Sequence, residues 1–539
     1  MKNSKLFTTS LVAAAAMTTT AFGAYDTIQI NFGSNNNNST GTGSNTYDST
    51  SGWNNATNAN SPEGGITNLQ ATDGTNFSGT LTYSSANTYM ENGNTDAVLK
   101  GYLDDGGNGI RINVAGLSSY LYYNVKIISA TDTDAVSFSA KTVNGVTYYG
   151  ANGVGIVGTS VWGNSNTGTV GNDNSFTISN LSGDLSISSS RADANRGCVA
   201  GLVIEVYSGT AVEISDSGTQ INWTDNALGS ETWTNSTASA GKYAAFALSS
   251  NETVNVTGTN IVTDAITASG AGTLTLSGNA ISLIGPGIVR TDSDSANIVV
   301  NNVLNFTNGG MISGNVTFGE NASLTVGENK TLVLSNGVLS GAATLVSTTL
   351  NSGSKIAIDA SSAASVDLSK VTGGETSRVA IKASGSPDSF TAISNLGSFS
   401  GSIEITGGYL KLNTSDLISG LSAAKSVVLS GGNSSGLVFL RASNLNFDKD
   451  IIAEGAGGAL RSYGSNEYSV NFTGSVTGTS ITHVDGGTHT FSGTVNLNTF
   501  NANAGVTNFS GNTTLNTLNY QNGSALNFSQ NSISTVGAF

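Results

Sequence analysis

The chain has 539 residues, of which only 10% are charged and 68 are glycine, and its formal net charge at pH 7 is −15. Nucleic-acid binding needs clustered lysine and arginine, so this acidic balance excludes nucleic acid as an expected partner. The 38% of hydrophobic residues alternate with Thr, Ser and Asn in short runs, which excludes low-complexity disorder and predicts an all-β chain.

The first 23 residues have the pattern of a secretory signal peptide. Lys2 and Lys5 precede a short apolar stretch, and small residues follow up to Gly23 or Ala24, where cleavage is expected. No later segment reaches about 18 uninterrupted apolar residues, so no transmembrane helix is predicted. The lone cysteine, Cys198, cannot form an internal disulfide. An exported protein of this kind fits a bacterial cell surface, either associated with the outer membrane or extracellular.

Residues 24–208 contain short alternating runs separated by Gly, Asn and Asp, which predicts an antiparallel β-sandwich. Four of its segments are INFGS (30–34), SGWNN (51–55), LSSYLYYNVKI (117–127) and VAGLVIEVY (199–207). In their order these segments resemble galactose-binding-like and malectin-like jelly rolls. The resemblance implies a carbohydrate-binding module and does not imply an active site.

Sugar binding would use aromatic rings that stack on the sugar and arginines that fix its hydroxyls. The candidates are Trp53, Tyr102, Tyr148, Tyr149, Trp162, Arg191 and Arg196. The alternative interpretation is that the two tryptophans pack in the core of the sandwich.

No cofactor is predicted other than a calcium ion in the sandwich. Calcium needs several oxygen ligands, and two segments place acidic groups close together. The candidate ligands are Asp104, Asp105, Asp132 and Asp134. Jelly rolls of the families named above often hold one calcium ion, and the resemblance implies the same for this domain.

Residues 209–250 are interpreted as a linker and a cap for a solenoid over residues 251–539, since an open sheet end exposes unpaired backbone groups. The solenoid itself is predicted from four phenylalanines spaced 19, 18 and 19 residues apart, each in a similar context: Phe472, Phe491, Phe509 and Phe528. So short a period indicates a coil per repeat, in this case a right-handed parallel β-helix of roughly 15 coils with the rings pointing inward. Asn471, Asn508 and Asn527 would form an amide ladder that Thr490 interrupts.

Several solenoid segments resemble the passenger β-helices of bacterial autotransporter-type proteins: GAGTLTLSG (270–278), FSGSIEITGGYLKL (399–412), GGALRSYGS (457–465) and NFTGSV (471–476). The resemblance implies display at the cell surface. Anchoring in the outer membrane is expected only if a C-terminal barrel is missing from this sequence. Residues 340–398 are the least regular part of the repeat and are expected to form a protruding loop.

Parallel β-helices also cleave polysaccharides, which requires acidic or basic residues clustered on adjoining coils. The charged residues of the solenoid that could serve, among them Asp292, Asp450, Glu454 and Arg461, are scattered singly and are interpreted as solvated turn residues. His483 and His489 flank an Asp-Gly-Gly turn, so a zinc site is the weaker interpretation of that segment.

The sequence therefore predicts an exported, non-catalytic bacterial surface protein without catalytic residues. It would act in adhesion or glycan binding through the sandwich carried on a β-helical stalk, with glycans or host-surface components as partners. One alternative is a β-helix polysaccharide lyase or glycoside hydrolase, and the other is a purely structural envelope component. A stacked group of carboxylates and basic residues on one face of adjoining coils would favour the enzyme.

Overall fold

The computed structural model describes residues 25–538 apart from 33–51, 57–62, 91–96, 105–108, 130–140, 152–153, 158–174, 190–197, 208, 216–219, 225–226, 229–241, 260, 336–337, 339–341, 386–389, 413–420, 422, 441–443, 456, 464–467, 522 and 530–533, and for some strand residues it describes only the backbone. Within this part of the chain the fold is almost entirely β, with one helical turn, α1 (Ala97–Lys100), and one 3-10 turn (Leu117–Ser119).

The strands of the N-terminal domain are β1 (Tyr25–Asn31), β2 (Trp53–Asn55), β3 (Glu63–Thr67), β4 (Thr80–Ser84), β5 (Asn87–Met90), β6 (Gly101–Asp104), β7 (Ile110–Ala115), β8 (Tyr123–Ile128), β9 (Lys141–Val143), β10 (Val146–Ala151), β11 (Val154–Val157), β12 (Ser175–Leu181), β13 (Leu185–Ser189) and β14 (Gly201–Tyr207).

The strands of the solenoid are β15 (Thr210–Ser215), β16 (Gln220–Thr224), β17 (Ala227–Leu228), β18 (Lys242–Leu248), β19 (Glu252–Val256), β20 (Ile261–Gly270), β21 (Gly272–Gly278), β22 (Ile281–Thr291), β23 (Ala296–Asn301), β24 (Val303–Phe306), β25 (Gly310–Ser313), β26 (Val316–Phe318), β27 (Ser323–Val326), β28 (Thr331–Leu334), β29 (Ala342–Thr344), β30 (Ser347–Leu350), β31 (Lys355–Asp359), β32 (Ser365–Asp367), β33 (Val371–Gly373), β34 (Arg378–Lys382), β35 (Ala392–Asn395), β36 (Ser402–Lys411), β37 (Ser426–Leu429), β38 (Gly432–Leu440), β39 (Leu445–Phe447), β40 (Asp450–Ala453), β41 (Gly458–Tyr463), β42 (Ser469–Phe472), β43 (Val476–Val484), β44 (Thr488–Phe491), β45 (Val495–Ala502), β46 (Val506–Phe509), β47 (Thr513–Tyr520), β48 (Ala525–Phe528) and β49 (Ser534–Ala538).

The N-terminal domain is built on a sheet of 12 strands that pair mostly antiparallel, with β1 against β14 and β14 against β8 near one edge. Its strands alternate as the sequence predicts. In β7 every second side chain is buried, from Ile110 through Ile112 to Val114, and the residues between them are exposed. The antiparallel pairing is therefore confirmed for this domain, while its assignment as a jelly roll stays a prediction.

The remaining strands form a parallel β-solenoid of about 15 turns. Its longest ladder runs through 21 strands, from β15 to β49. One inward column consists of residues that are all fully buried and that occupy matching positions on successive strands: Leu332, Ile356, Val379, Ile403, Val427 and Ile451. Burial of each such side chain contributes about 1.5–3 kcal/mol, so the stack of coils is held together by its core.

The phenylalanine column lies where the spacing predicts it. Phe472, Phe491, Phe509 and Phe528 are paired on β42, β44, β46 and β48. Neighbouring rings stack with centroids 4.9, 5.4 and 5.1 Å apart. The first three rings are buried, whereas the last one is 37% exposed.

The amide ladder beside this column joins Thr490, Asn508 and Asn527, and the predicted interruption lies between Thr490 and Asn471, where the Asn471 Oδ1 atom accepts from Ser492 Oγ at 2.8 Å instead. The side-chain amide of Asn508 donates to Thr490 Oγ1 at 3.2 Å, and Asn527 donates to Asn508 Oδ1 at 2.8 Å. A threonine hydroxyl can accept a hydrogen bond, so Thr490 is the first member of this part of the ladder.

Two further expectations about the solenoid change. Residues 340–398 do not leave the repeat as a protruding loop, because their described strands, β29 to β35, pair in parallel with the coils before and after them. Parallel pairing also begins with β15, inside residues 209–250, so this segment contains the first coil of the solenoid. The right-handed winding of the coils stays a prediction.

The N-terminal domain docks against the early coils through an interface with an aromatic centre. Tyr122 and Tyr207 stack with centroids 5.3 Å apart, and the Tyr207 hydroxyl donates to Asp264 Oδ2 at 2.6 Å. Arg290 Nη1 donates to the backbone oxygen of Leu121 at 2.9 Å. Buried apolar contact combined with hydrogen bonds fixes the position of the domain beside the solenoid.

Candidate active site

One outer face of the solenoid carries charged and polar side chains on successive strands. Lys355, Arg378 and Ser402 occupy matching positions on β31, β34 and β36. Because their neighbours Ile356, Val379 and Ile403 point into the core, these three side chains point outward. Lateral stacking of coils therefore brings together charged residues that are far apart in the sequence.

Glu404 lies at the centre of this charged group. Its Oε2 is 2.8 Å from Lys355 Nζ and 3.8 Å from Arg378 Nη1, and its Oε1 accepts a hydrogen bond of 2.9 Å from Ser430 Oγ. Burial raises the pKa of Glu404, but the lysine, the serine and the arginine outweigh it, so the pKa is lowered overall. Glu404 is therefore ionised at neutral pH, beneath two cations.

A second carboxylate belongs to the same group. Glu454 forms a bidentate ion pair with Arg378, with distances of 2.7 and 2.8 Å from its two oxygens to Nη1 and Nη2. The pair with Glu454 is the leading cause of the raised pKa of Arg378. Both partners of this pair are about one-third exposed, so the Glu404 group opens to solvent on this side.

Arg378 limits how far apart the two carboxylates lie. Its Nη1 is 3.8 Å from Glu404 Oε2 and 2.7 Å from Glu454 Oε2, so these oxygens are separated by no more than the two distances combined. Glycosidases that invert the anomeric configuration space their carboxyl groups about 6.5–9.5 Å apart, and retaining enzymes about 5–5.5 Å. The upper limit for this oxygen pair lies at the short end of the inverting range and includes the retaining range.

A parallel row of charges borders the group. Lys382 Nζ is 2.9 Å from Asp359 Oδ2, and these residues are paired on β34 and β31. Strand β11 of the N-terminal domain approaches β36, the strand that carries Glu404. The N-terminal domain therefore reaches the coil that carries Glu404.

A separate polar group lies near the C-terminal coils. Arg461 pairs with Asp485 at 2.7 Å and lies 4.7 Å above the ring of Tyr409. Beneath the surface, the rings of His483 and His489 stack 3.8 Å apart. Burial is the main cause of a lowered pKa in both histidines, to about 4 for His483.

The two histidines are core residues. Each bonds a hydroxyl at 2.8 Å, His483 through Nδ1 to Thr507 and His489 through Nε2 to Ser462, and both are fully buried. Asp485, between them in sequence, adopts the turn conformation that the sequence predicts, with φ of 68°. Across the described residues, no three or more His, Cys, Asp or Glu side chains are grouped to hold a metal ion.

The predicted sugar-binding residues of the N-terminal domain are not gathered into one site in the described part of the chain. Tyr102 cannot stack on a sugar as predicted, because its side chain is fully buried in the core. Trp53 packs partly buried against that core, and Tyr148 does so while also facing the solenoid. The side chains of Tyr149, Trp162, Arg191 and Arg196 lie outside the described residues.

The calcium prediction stays a prediction. Asp104 is 7% exposed, and its Oδ1 lies 3.8 Å from the sulfur of the buried Cys198. The other three candidate ligands, Asp105, Asp132 and Asp134, lie outside the described residues.

Sequence reasoning missed Lys355, Arg378 and Glu404, although one signal for two of them was present. Two segments one coil apart share a pattern, SKIAIDA (354–360) and SRVAIKA (377–383). The second position of each segment is a cation, and the sixth positions carry opposite charges. An alignment of the repeat on this motif would have placed Lys355 beside Arg378 and Asp359 beside Lys382. Glu454, which was interpreted as a solvated turn residue, is in fact part of the charged group.

Comparison with known proteins identifies no family. No family model matches the chain, and no curated protein matches it. The structures that match are catalytic domains of a GH87 alpha-1,3-glucanase. The domain in complex with nigerose is 11% identical with a TM-score of 0.21, covering 85% of this chain and 92% of that one. A variant in complex with tetrasaccharides is 12% identical with a TM-score of 0.22, covering 89% and 99%. Similarity at this level carries no argument about fold or function.

The prediction that the protein is non-catalytic, and therefore not an enzyme, is nevertheless wrong. The matched structures are catalytic domains, contrary to that prediction, although their likeness is too weak to be used as an argument. The charged group is the observation that contradicts this prediction. The non-catalytic interpretation assumed that carboxylates and cations were not stacked on adjoining coils, and Lys355, Arg378, Glu404 and Glu454 are stacked in this way. No helix in the described part of the chain is long and apolar enough to cross a membrane.

Proposed function

We propose that this protein is a glycoside hydrolase whose active site is the group formed by Lys355, Arg378, Glu404 and Glu454. The observation that carries the proposal is that two carboxylates share one guanidinium on an outer face of the β-solenoid. Most glycoside hydrolases use two carboxyl groups at a defined separation, and this group supplies two.

The two carboxylates have different roles in the proposed reaction. Glu404, which is ionised and buried, attacks the anomeric carbon while the bond from that carbon to the glycosidic oxygen breaks. Glu454 is an ion-paired carboxylate in the free protein. It takes up a proton when Arg378 turns toward the substrate, and it then gives this proton to the departing oxygen. Water then attacks the glycosyl ester, loses a proton to Glu454 and frees Glu404. The anomeric configuration of the product is retained.

Lys355 and Arg378 are positioning residues. They cover Glu404 in the free protein, so productive binding requires that at least one of them turns toward the substrate. A cation that leaves Glu404 at that moment makes the carboxylate a stronger nucleophile. The same cation can then bind hydroxyl or acidic groups of the sugar.

The test is glycan cleavage by the full chain on a panel of polysaccharides that includes α-1,3-glucan, on which the matched domains act. New reducing ends are expected, and Glu454→Gln should lower the rate by about 10²–10⁴-fold because the proton donor is lost. Glu404→Gln should reduce the rate to background. Glu320→Gln is the matched control, since Glu320 is an exposed carboxylate that follows β26, in a different sheet from the strands that carry the group.

Several outcomes oppose the proposal. Full activity of both active-site variants would place the reaction elsewhere. Products with an unsaturated sugar ring would indicate a polysaccharide lyase, and inverted products observed by NMR would contradict the roles assigned to the carboxylates. If no member of the panel is cleaved, the structural envelope component becomes the better interpretation.

We also propose that the protein is exported and that its N-terminal domain is a jelly-roll module beside the catalytic solenoid. The leader sequence over residues 1–23 supports export, and the Gly/Thr/Asn-rich coils support a likeness to autotransporter passengers. Expression in a bacterial host with the native leader should place the protein outside the cytoplasm, with its N-terminus after Gly23 or Ala24. Retention of an intact leader in the cytoplasm would refute export.

A further inference from the structure

A cleft of about 670 Å³ lies between the N-terminal domain and the solenoid. Tyr148 on β10 and Asn180 on β12 line it from one side, and Asn308, Lys330 and Thr331 line it from the solenoid. Its volume falls in the range of about 300–1,000 Å³ that is typical of small-molecule sites. The docking of Tyr207 against Asp264 described above holds its two walls together.

The chemistry of the cleft is that of a carbohydrate site with one cation. Amide and hydroxyl groups make up most of its polar lining, and Tyr148 offers an aromatic ring. Its described lining includes no aspartate or glutamate, although the chain has 35 acidic and only 20 basic residues. Lys330 is exposed and has no carboxylate within ion-pair distance among the described residues. A cation without competing carboxylates favours an anionic group on the ligand.

The cleft and the charged group lie along the same outer face of the solenoid. Thr331 is paired with Lys355 on the next coil, and the backbone N–H of Lys355 donates to the backbone oxygen of Lys330 at 2.8 Å. Val333, which lines the cleft, is matched on the next three coils by Ala357, Ala380 and Glu404. With coils about 4.8 Å apart, Glu404 lies three coils or roughly 14 Å along the face. An extended glycan could therefore occupy both places at once.

We propose that this cleft binds a uronate residue of the glycan that is cleaved at Glu404, with Lys330 paired to its carboxylate. Tyr148 contacts the sugar ring, and Asn180 and Asn308 bind hydroxyl groups. This inference rests on the proposed function and narrows the substrate to an acidic polysaccharide. The distance of three coils places the bound uronate a few sugar units from the scissile bond.

The experiment is isothermal titration of the full chain carrying Glu404→Gln, so that no substrate is consumed. The probes are tetramers of galacturonate, glucuronate and mannuronate, with maltotetraose as the neutral comparison. At least one uronate tetramer should bind, and adding Lys330→Gln should weaken its binding about tenfold or more, because one charge-assisted hydrogen bond is lost. Adding Lys370→Gln, an exposed lysine outside this cleft, should leave the affinity unchanged.

The results separate this inference from the proposed function. Absence of binding by all three uronate tetramers, or equal affinity with and without Lys330, overturns the inference. If a neutral glycan is cleaved in a Glu404-dependent manner and Lys330→Gln leaves its KM unchanged, only the uronate site is refuted. If uronates bind through Lys330 but no glycan is cleaved, the proposed hydrolase is refuted and the cleft remains a binding site.

Discussion

Acidification should loosen the C-terminal coils before the rest of the solenoid, because His483 and His489 are buried there as a stacked neutral pair. Burial lowers the pKa of both side chains, and the charge of His483 lowers that of His489 further, while Asp485 partly opposes the shift at His483. An unfolded histidine titrates at about 6.5. Between pH 6.5 and 4 the unfolded state therefore binds more protons than the folded state.

The sign and the size of the effect follow from this difference. Above pH 6.5 the histidines do not change the free energy of unfolding. Below pH 6.5 their effect lowers it, as the pH decreases toward the folded pKa of His483 of about 4. At pH 5 the contribution of His483 amounts to about 2 kcal/mol, and at lower pH it approaches a limit of about 3 kcal/mol. His489, which is buried more deeply, acts in the same direction.

Native-state hydrogen exchange measured by mass spectrometry would locate the change. Peptides covering residues 481–502 should lose protection between pH 7 and pH 5, after correction for intrinsic exchange, relative to peptides covering residues 261–300. The double variant His483→Gln, His489→Gln keeps groups that can bond Thr507 and Ser462 but does not titrate. It should remove the difference. An equal loss of protection in the variant would refute the histidine explanation.

Two further predictions concern packing. Phe491→Ala should lower the free energy of unfolding by about 3–5 kcal/mol, because its buried ring is stacked between those of the neighbouring coils. Phe528→Ala should cost much less, since Phe528 is 37% exposed, and equal urea midpoints for the two variants would contradict this ranking. Tyr207→Phe removes the 2.6 Å hydrogen bond to Asp264 at the domain interface and should cost about 1–3 kcal/mol. Proteolysis between the domains should accelerate, and an unchanged rate would exclude a stabilising role for this bond.

The sequence predicts the C-terminal solenoid well because the coils there are short and nearly constant in length. Phe472, Phe491 and Phe509 recur 19 and 18 residues apart, because each coil must present a large apolar group to the same point of the core. Alternation along each strand likewise predicted the core of the N-terminal sheet, as in Ile110 and Ile112 of β7. Both signals are local, since they compare a residue with neighbours in its own strand or in the next repeat.

In the middle of the solenoid the coils are longer and vary in length. The side chains of Asp359 and Lys382 meet at a separation of 23 residues, and those of Ser402 and Ser426 at 24. This variation obscures the period, which is why residues 340–398 were expected to form a loop. The longer coils place their additional residues in the turns. The packing of the coils above and below determines which residues form the turns and therefore which residues pair in the strands.

By itself, the sequence determined an all-β chain with a repeating apolar core, because side-chain alternation and a nearly constant coil length are properties of short segments. Only the tertiary structure decided that Lys355 meets Glu404 across 49 residues and that Arg378 meets Glu454 across 76. Such contacts depend on the sum of several coil lengths, so an error of one residue in any turn would separate the partners. The candidate active site is therefore a consequence of stacking, and the individual segments do not reveal it.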